Sequence, residues 1–222
     1  YNMIEKLKRI VFTNTTKKLQ NIEVEEKLKT LGLAVFTPQE FQGIFDVSKK
    51  AVSMFILNNV KSGLFVKLRN SFYMIKDSNP DYPFIANKLY QPSYISLETA
   101  LSHYKIIPEV VYGTASITTK APREFTTPIG NFTYQHIKTE AFTGYCLQEI
   151  DRYKALVAEP EKALADYLYF VDLKKVSLND RLKLKNIRKS KLIEYAKLFK
   201  RPSMLKLVNQ IYADSRKPRT IY

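Results

Sequence analysis

The chain has 222 residues, of which 45% are hydrophobic and 13% aromatic, a composition that excludes a disordered polymer. Its single cysteine, Cys146, excludes an internal disulfide and any cysteine-based zinc site. The formal charge of +15 favours a polyanionic partner.

That charge is unevenly placed. Residues 1–79 hold 13 basic and 7 acidic side chains (+6), residues 80–171 hold 8 and 10 (−2), and residues 172–222 hold 15 and 4 (+11). A polyanion could therefore be gripped at both ends of the chain. The first twelve residues are charged and periodic, unlike a signal peptide. The longest apolar run, residues 51–57, is far too short to span a bilayer. A cytoplasmic location without a membrane partner is expected.

Along the chain, one or two N-terminal helices are expected first, with Val24, Leu28 and Leu31 as a core-facing row and Gly32 as the cap. Thr37 then reads as an N-cap, with Pro38 in the first turn, Glu40 completing a capping box, and Phe36 and Phe41 spaced as a hydrophobic staple. Phe41, Ile44 and Phe45 form its apolar stripe. After a short turn, Ser48 starts a second helix stapled by Val47 and Val52. Lys49, Lys50 and Ser53 face solvent, while Val52, Phe55, Ile56 and Val60 face inward. Gly63 ends this helix. Leu64, Val66 and Leu68 then alternate with Phe65, Lys67 and Arg69, and a turn at Arg69, Asn70 and Ser71 leads into a return strand from Phe72 to Ile75. Two helices across a tight turn, followed by a hairpin, make a winged helix-turn-helix over residues 1–79.

Residues 77–87, with Pro80 and Pro83 and no apolar period, read as a linker or domain edge, and the boundary is placed near Pro80. A second domain over residues 80–222 opens with a helix capped by Ser96. Residues 110–119, 123–127 and 131–137 are rich in β-formers, and Thr127, Pro128, Ile129 and Gly130 form the turn joining the last two. Residues 153–158 read as a buried strand, Pro160 starts a helix through Ala163, Leu164 and Leu168, and residues 177–213 read as helical, with starts at Ser190 and Pro202. The fold class is therefore α+β: a winged helix-turn-helix, a mixed α/β region over residues 80–171, and a basic helical tail over residues 172–222.

Catalysis needs convergent groups, and few are legible. His103 and His136, the two histidines, fall at a helix end and in an alternating strand, so both read as structural. No cofactor-binding or metal-ligand spacing is present, and no phosphate-cradling glycine loop. Gly113, Thr114, Ala115 and Ser116 lack the paired downstream aspartates of a two-metal nucleotidyltransferase. Glu159, Pro160, Glu161 and Lys162 invite comparison with a restriction-type nuclease, but the spacing from acid to lysine is wrong. Acids favoured by the dipole at a helix start explain them better.

Three segments in serial order carry a family resemblance: Tyr94, Ile95, Ser96, Leu97, Glu98, Thr99, Ala100, Leu101 and Ser102; then Ile107, Pro108 and Glu109; then Pro160, Glu161, Lys162, Ala163 and Leu164 with Asp166. Following a winged helix, they resemble the AbiE-type (AbiEi family) antitoxins, transcriptional regulators of bicistronic type IV abortive-infection toxin–antitoxin operons. The resemblance spans roughly residues 31–168. Residues 172–222 share only a basic, helical character. It implies a winged-helix domain that binds inverted repeats in its own promoter, a C-terminal antitoxin domain that opposes a nucleotidyltransferase-like toxin without requiring a stable complex, and no enzymatic activity.

The expected partner is therefore double-stranded operator DNA. Ser48, Lys49, Lys50 and Ser53 are placed at the major groove, and Lys67, Arg69 and Asn70 at phosphate or minor groove. Lys183, Lys185, Arg188, Lys189 and Lys191 face DNA or the toxin. A free-standing regulator without a toxin is the alternative, and a nuclease of the second domain is a more distant one.

Overall fold

The computed structural model describes residues 19–150 and 153–215. It is a mixed α and β structure with eight α-helices and two sheets among the described residues. The chain divides into two compact units, Tyr1–Asn79 and Pro80–Tyr222.

In the first unit, α1 (Asn21–Thr30) buries Val24 and Leu28. Leu31, expected in the same row, is 52% exposed. The helix stops one residue too soon for it: the Leu33 amide donates to the Leu28 carbonyl at 2.9 Å and the Gly32 amide to that of Lys29 at 3.0 Å. With Gly32 at φ +67°, this closes a Schellman motif that places Leu33, instead of Leu31, against the core. Any helix before α1 would lie outside the described residues.

β1 (Val35–Phe36) leads into α2 (Pro38–Phe45). Its N-cap Thr37 accepts from the Glu40 amide at 3.2 Å, and Glu40 accepts from the Thr37 amide at 2.8 Å, a complete capping box. Asp46, in the left-handed conformation at φ 49°, ends α2, and α3 (Lys49–Lys61) starts with Ser48 accepting from the Ala51 amide at 3.2 Å. β2 (Phe65–Arg69) and β3 (Phe72–Ile75) complete an antiparallel sheet of order β1-β3-β2. Phenylalanines dominate the core; the Phe36 ring meets Phe65 edge-on at 5.0 Å and Phe41 lies 4.5 Å from Phe45.

The alternation expected in β2 fails. Phe65 and Leu68 are buried while Val66 is only half-buried, because the register shifts between Lys67 and Arg69 and the extra residue breaks the period of two.

The second unit begins with α4 (Tyr82–Leu89), where a linker was expected through residue 87. Pro83 lies in the first turn, where a missing amide is harmless, and Ile85, Ala86 and Leu89 are buried. β4 (Ser93–Ile95), which periodicity did not announce, precedes α5 (Leu97–His103). β5 is confined to Thr114–Thr118; Val110 and Tyr112 are 77% and 96% exposed, outside the expected strand. β6 (Arg123–Thr127) and β7 (Gly130–His136) form the expected hairpin. β8 (Tyr145–Ile150) was not anticipated; it pairs with β9 (Tyr153–Ala158). The six-stranded sheet has the order β6-β7-β5-β4-β9-β8, with β5 parallel to β7 and β4 parallel to β9.

α6 (Pro160–Asp172), α7 (Lys189–Leu198) and α8 (Pro202–Asp214) follow. Residues 177–188 are not helical. Asn179 turns the chain by accepting from the Arg181 amide at 2.8 Å, and the Tyr167 hydroxyl pins the segment by donating to the Ser177 carbonyl at 2.6 Å and accepting from the Asn179 amide at 2.8 Å. α7 therefore starts at Lys189, with Ser190 inside its first turn and not at the cap. Among the described residues no helix is long and apolar enough to cross a membrane.

Candidate nucleic-acid interface

The expected major-groove residues share one end of α3. Lys49 and Lys50 occupy its first two positions, both exposed, and no acidic residue balances them in the first turn. Two ammonium groups at the positive end of a helix dipole are unfavourable by a few tenths of a kcal/mol or more each, and the same end presents amides that suit an anion. An approaching phosphate would relieve the repulsion. Ser53 is exposed one turn on, its hydroxyl donating to the Lys49 carbonyl at 3.0 Å.

Sequence reading overlooked Met54 and Leu57 on the outward side of the same helix. They are 52% and 50% exposed, and Asn58 beside them is exposed too. The signal was available: a stripe of Val52, Phe55, Ile56 and Val60 leaves Met54 and Leu57 on the opposite side by helical geometry. On the hairpin between β2 and β3, Lys67 and Asn70 are exposed. The Arg69 guanidinium stacks 4.0 Å from the Phe72 ring centre and donates to the Asn70 carbonyl at 3.4 Å, which orders it at the tip. Ser71, at φ 63°, makes the turn.

The five basic residues proposed for the C-terminal region do not form one stripe. Lys183 and Lys185 are exposed on the irregular segment before α7. Arg188 donates through Nε to Glu161 at 3.2 Å, Lys191 pairs with Glu159, and Lys189 lies 5.3 Å from the Tyr212 ring centre. Arg188 and Lys191 thus bind α7 to the start of α6. Glu159 also accepts from the Tyr195 hydroxyl at 2.6 Å, and its bonds from Lys191 and Tyr195 hold its carboxyl below the ordinary value.

Glu159, Glu161 and Lys162 do not converge. The first two face Lys191 and Arg188, while Lys162 turns inward, fully buried, onto Asp166 one turn along α6. The same carboxylate accepts from the Tyr94 hydroxyl at 3.0 Å and from Ser96 Oγ at 2.7 Å. Ser96 occupies the N-cap position of α5, but its hydroxyl is spent on Asp166 and caps nothing. Burial pushes Lys162 down and Asp166 up from their ordinary values, each against the attraction of the other. The network ties β4 and the head of α5 to α6, joining two of the three sequence segments on which the family resemblance rests. Neither sequence periodicity nor the Glu159 to Lys162 cluster revealed Asp166 as the partner of Lys162, although the i, i+4 spacing on a helix was there to be read.

Scans against models of known protein families and against curated proteins return no match.

Proposed function

We propose that this chain is a DNA-binding transcriptional regulator, with a winged helix-turn-helix in residues 1–79, acting as the autorepressing antitoxin of a type IV abortive-infection operon. The observation that carries the DNA-binding part of the reading is the unbalanced pair Lys49 and Lys50 at the start of α3, exposed and unopposed by any acid in the first turn; the antitoxin part rests on the family resemblance of the three sequence segments alone. Such an end is poorly arranged for an isolated helix and well arranged for a phosphate backbone. Lys67, Arg69 and Asn70 add a second cationic surface on the hairpin of the same unit. In this reading Lys49, Lys50 and Ser53 reach base edges, and the hairpin positions the protein on the duplex without reading it.

The test is a gel-shift titration of the purified chain against DNA immediately upstream of its gene, with scrambled competitor at two salt concentrations. Tight binding that survives the competitor is the expected result; equal loss to scrambled DNA removes the operator from the reading. The antitoxin role is tested by co-expression with the product of the neighbouring gene, which this reading requires to be a nucleotidyltransferase-like toxin. Lys183→Glu with Lys185→Glu is expected to retain repression and lose protection of growth. Arg188 and Lys191 are left intact because reversing them would break the pairs that hold α7.

A further inference from the structure

A different part of the second unit has the makings of a small-molecule site. β4 and β9 pair at a single position, Ile95 with Val157. The Asn87 side chain bridges the two strands: its Oδ1 accepts from the Leu156 amide at 2.6 Å and its Nδ2 donates to the Ser93 carbonyl at 3.4 Å. An amide from α4 thus takes the place of strand-to-strand bonding. Beside this bridge lies a cleft of about 590 Å3, within the range of pockets that take small molecules.

Its wall is chemically two-sided. Phe84, Phe142, Tyr145, Leu147 and Leu156 supply an aromatic and aliphatic surface, and Leu147 is 60% exposed despite its apolar side chain. Lys88 and Lys154 supply the wall's charge, with no acidic residue lining it. Glu149, opposite Lys154 in the β8–β9 register, is not part of that wall. Ser93 also lines the cleft; it is 3% exposed, and its hydroxyl is buried without a hydrogen-bond partner.

We propose that this cleft binds a small aryl carboxylate, its ring against the aromatic wall and its carboxylate held by Lys88 and Lys154. A bare anion would leave the apolar wall in water, and a neutral aromatic would make no use of the two lysines on it. The combination selects a molecule with both features.

The test is titration of the full chain with naphthalene-2-carboxylate, beside its neutral twin naphthalene-2-carboxamide and inorganic phosphate. One saturable site is expected, with the carboxylate favoured over the amide by about tenfold or more, as a charge-assisted pair implies. Phosphate at the same concentration should not displace it. Lys88→Gln with Lys154→Gln, both at side chains that reach solvent, should reduce that preference to about twofold or less. Because the chain has no tryptophan, Leu147→Trp gives a local reporter whose emission should change along the same isotherm. Equal binding of acid and amide, displacement by phosphate, an unresponsive reporter, or no saturation would each overturn the proposal.

Discussion

Replacing Asp166 by asparagine preserves the shape of the side chain and removes the charge that faces Lys162. In the structure both side chains are fully buried, and Asp166 also accepts from Tyr94 and Ser96. The substitution leaves an ammonium in a dry interior with an amide for a partner, and it turns one acceptor oxygen into a donor. Removing one member of a buried pair typically costs about 3–5 kcal/mol. Against a total stability of roughly 5–15 kcal/mol, that is a large fraction. Lys162→Met should also destabilise, by stranding the carboxylate, although the carboxylate retains two hydroxyl donors and protonates more readily. The double substitution should recover much of the loss, giving a coupling energy of about 2–3 kcal/mol in a double-mutant cycle. Urea unfolding of the full chain followed by far-ultraviolet circular dichroism measures all four corners, with the transition of the second unit fitted separately if two are resolved. Additive single effects, or an Asp166→Asn loss under about 1 kcal/mol, would refute the claim that Lys162 and Asp166 form a coupled buried pair on α6.

Other consequences follow from local geometry. Thr37→Ala removes a side chain that caps α2, and the first unit should lose about 1 kcal/mol, or up to about 2, in the same unfolding assay. Gly144→Ala should destabilise the second unit, since a β-carbon there would sit 2.6 Å from the Tyr195 ring on a backbone at φ +73°; Tyr195→Ala in the same chain should relieve the clash but not the backbone strain. The Glu159 carboxyl lies below its ordinary value of 4.5, so its contribution is complete above that pH and fades as the pH falls through the lower folded value. Glu159→Gln should therefore flatten the acid side of the stability profile below about pH 4.5 while leaving its shape near neutrality unchanged. On DNA, Lys67→Ala should weaken binding to all sequences alike and lower the salt slope by about one.

The parts of the fold that are legible in the sequence are those written in local chemistry. Thr37, Pro38 and Glu40 specify a helix start by short-range bonding, and Ser48 does the same for the next helix. Thr127 to Gly130 specifies a hairpin because proline and glycine sit where the turn needs them. What could not be read depends on distant partners. β4 is three residues long and held by neighbours from far along the chain, and β8 carries exposed Cys146 and Leu147 where a clean alternation would be needed to recognise it. Pro83 shows how one residue has two meanings: it breaks a helix from within and suits its first turn. In the candidate interface, Lys49, Lys50 and Ser53 are exposed on α3 as their spacing indicates, but the β2 bulge that sets Phe65 and Leu68 inward has no local signature. The pairing of Arg188 and Lys191 with the glutamates at the start of α6 was equally hidden, because a run of basic residues looks the same whether it faces solvent or a carboxylate.

The proposal that α3 reads DNA is tested most directly by anisotropy titration of the wild-type chain, Lys50→Ala and Lys67→Ala against the upstream DNA and a panel of its single-base-pair variants. The account predicts that Lys50→Ala loses roughly 1–3 kcal/mol of discrimination at one base pair, whereas Lys67→Ala weakens every duplex equally. Identical, sequence-independent losses from both substitutions, or no duplex binding by the wild-type chain at low salt, would contradict it.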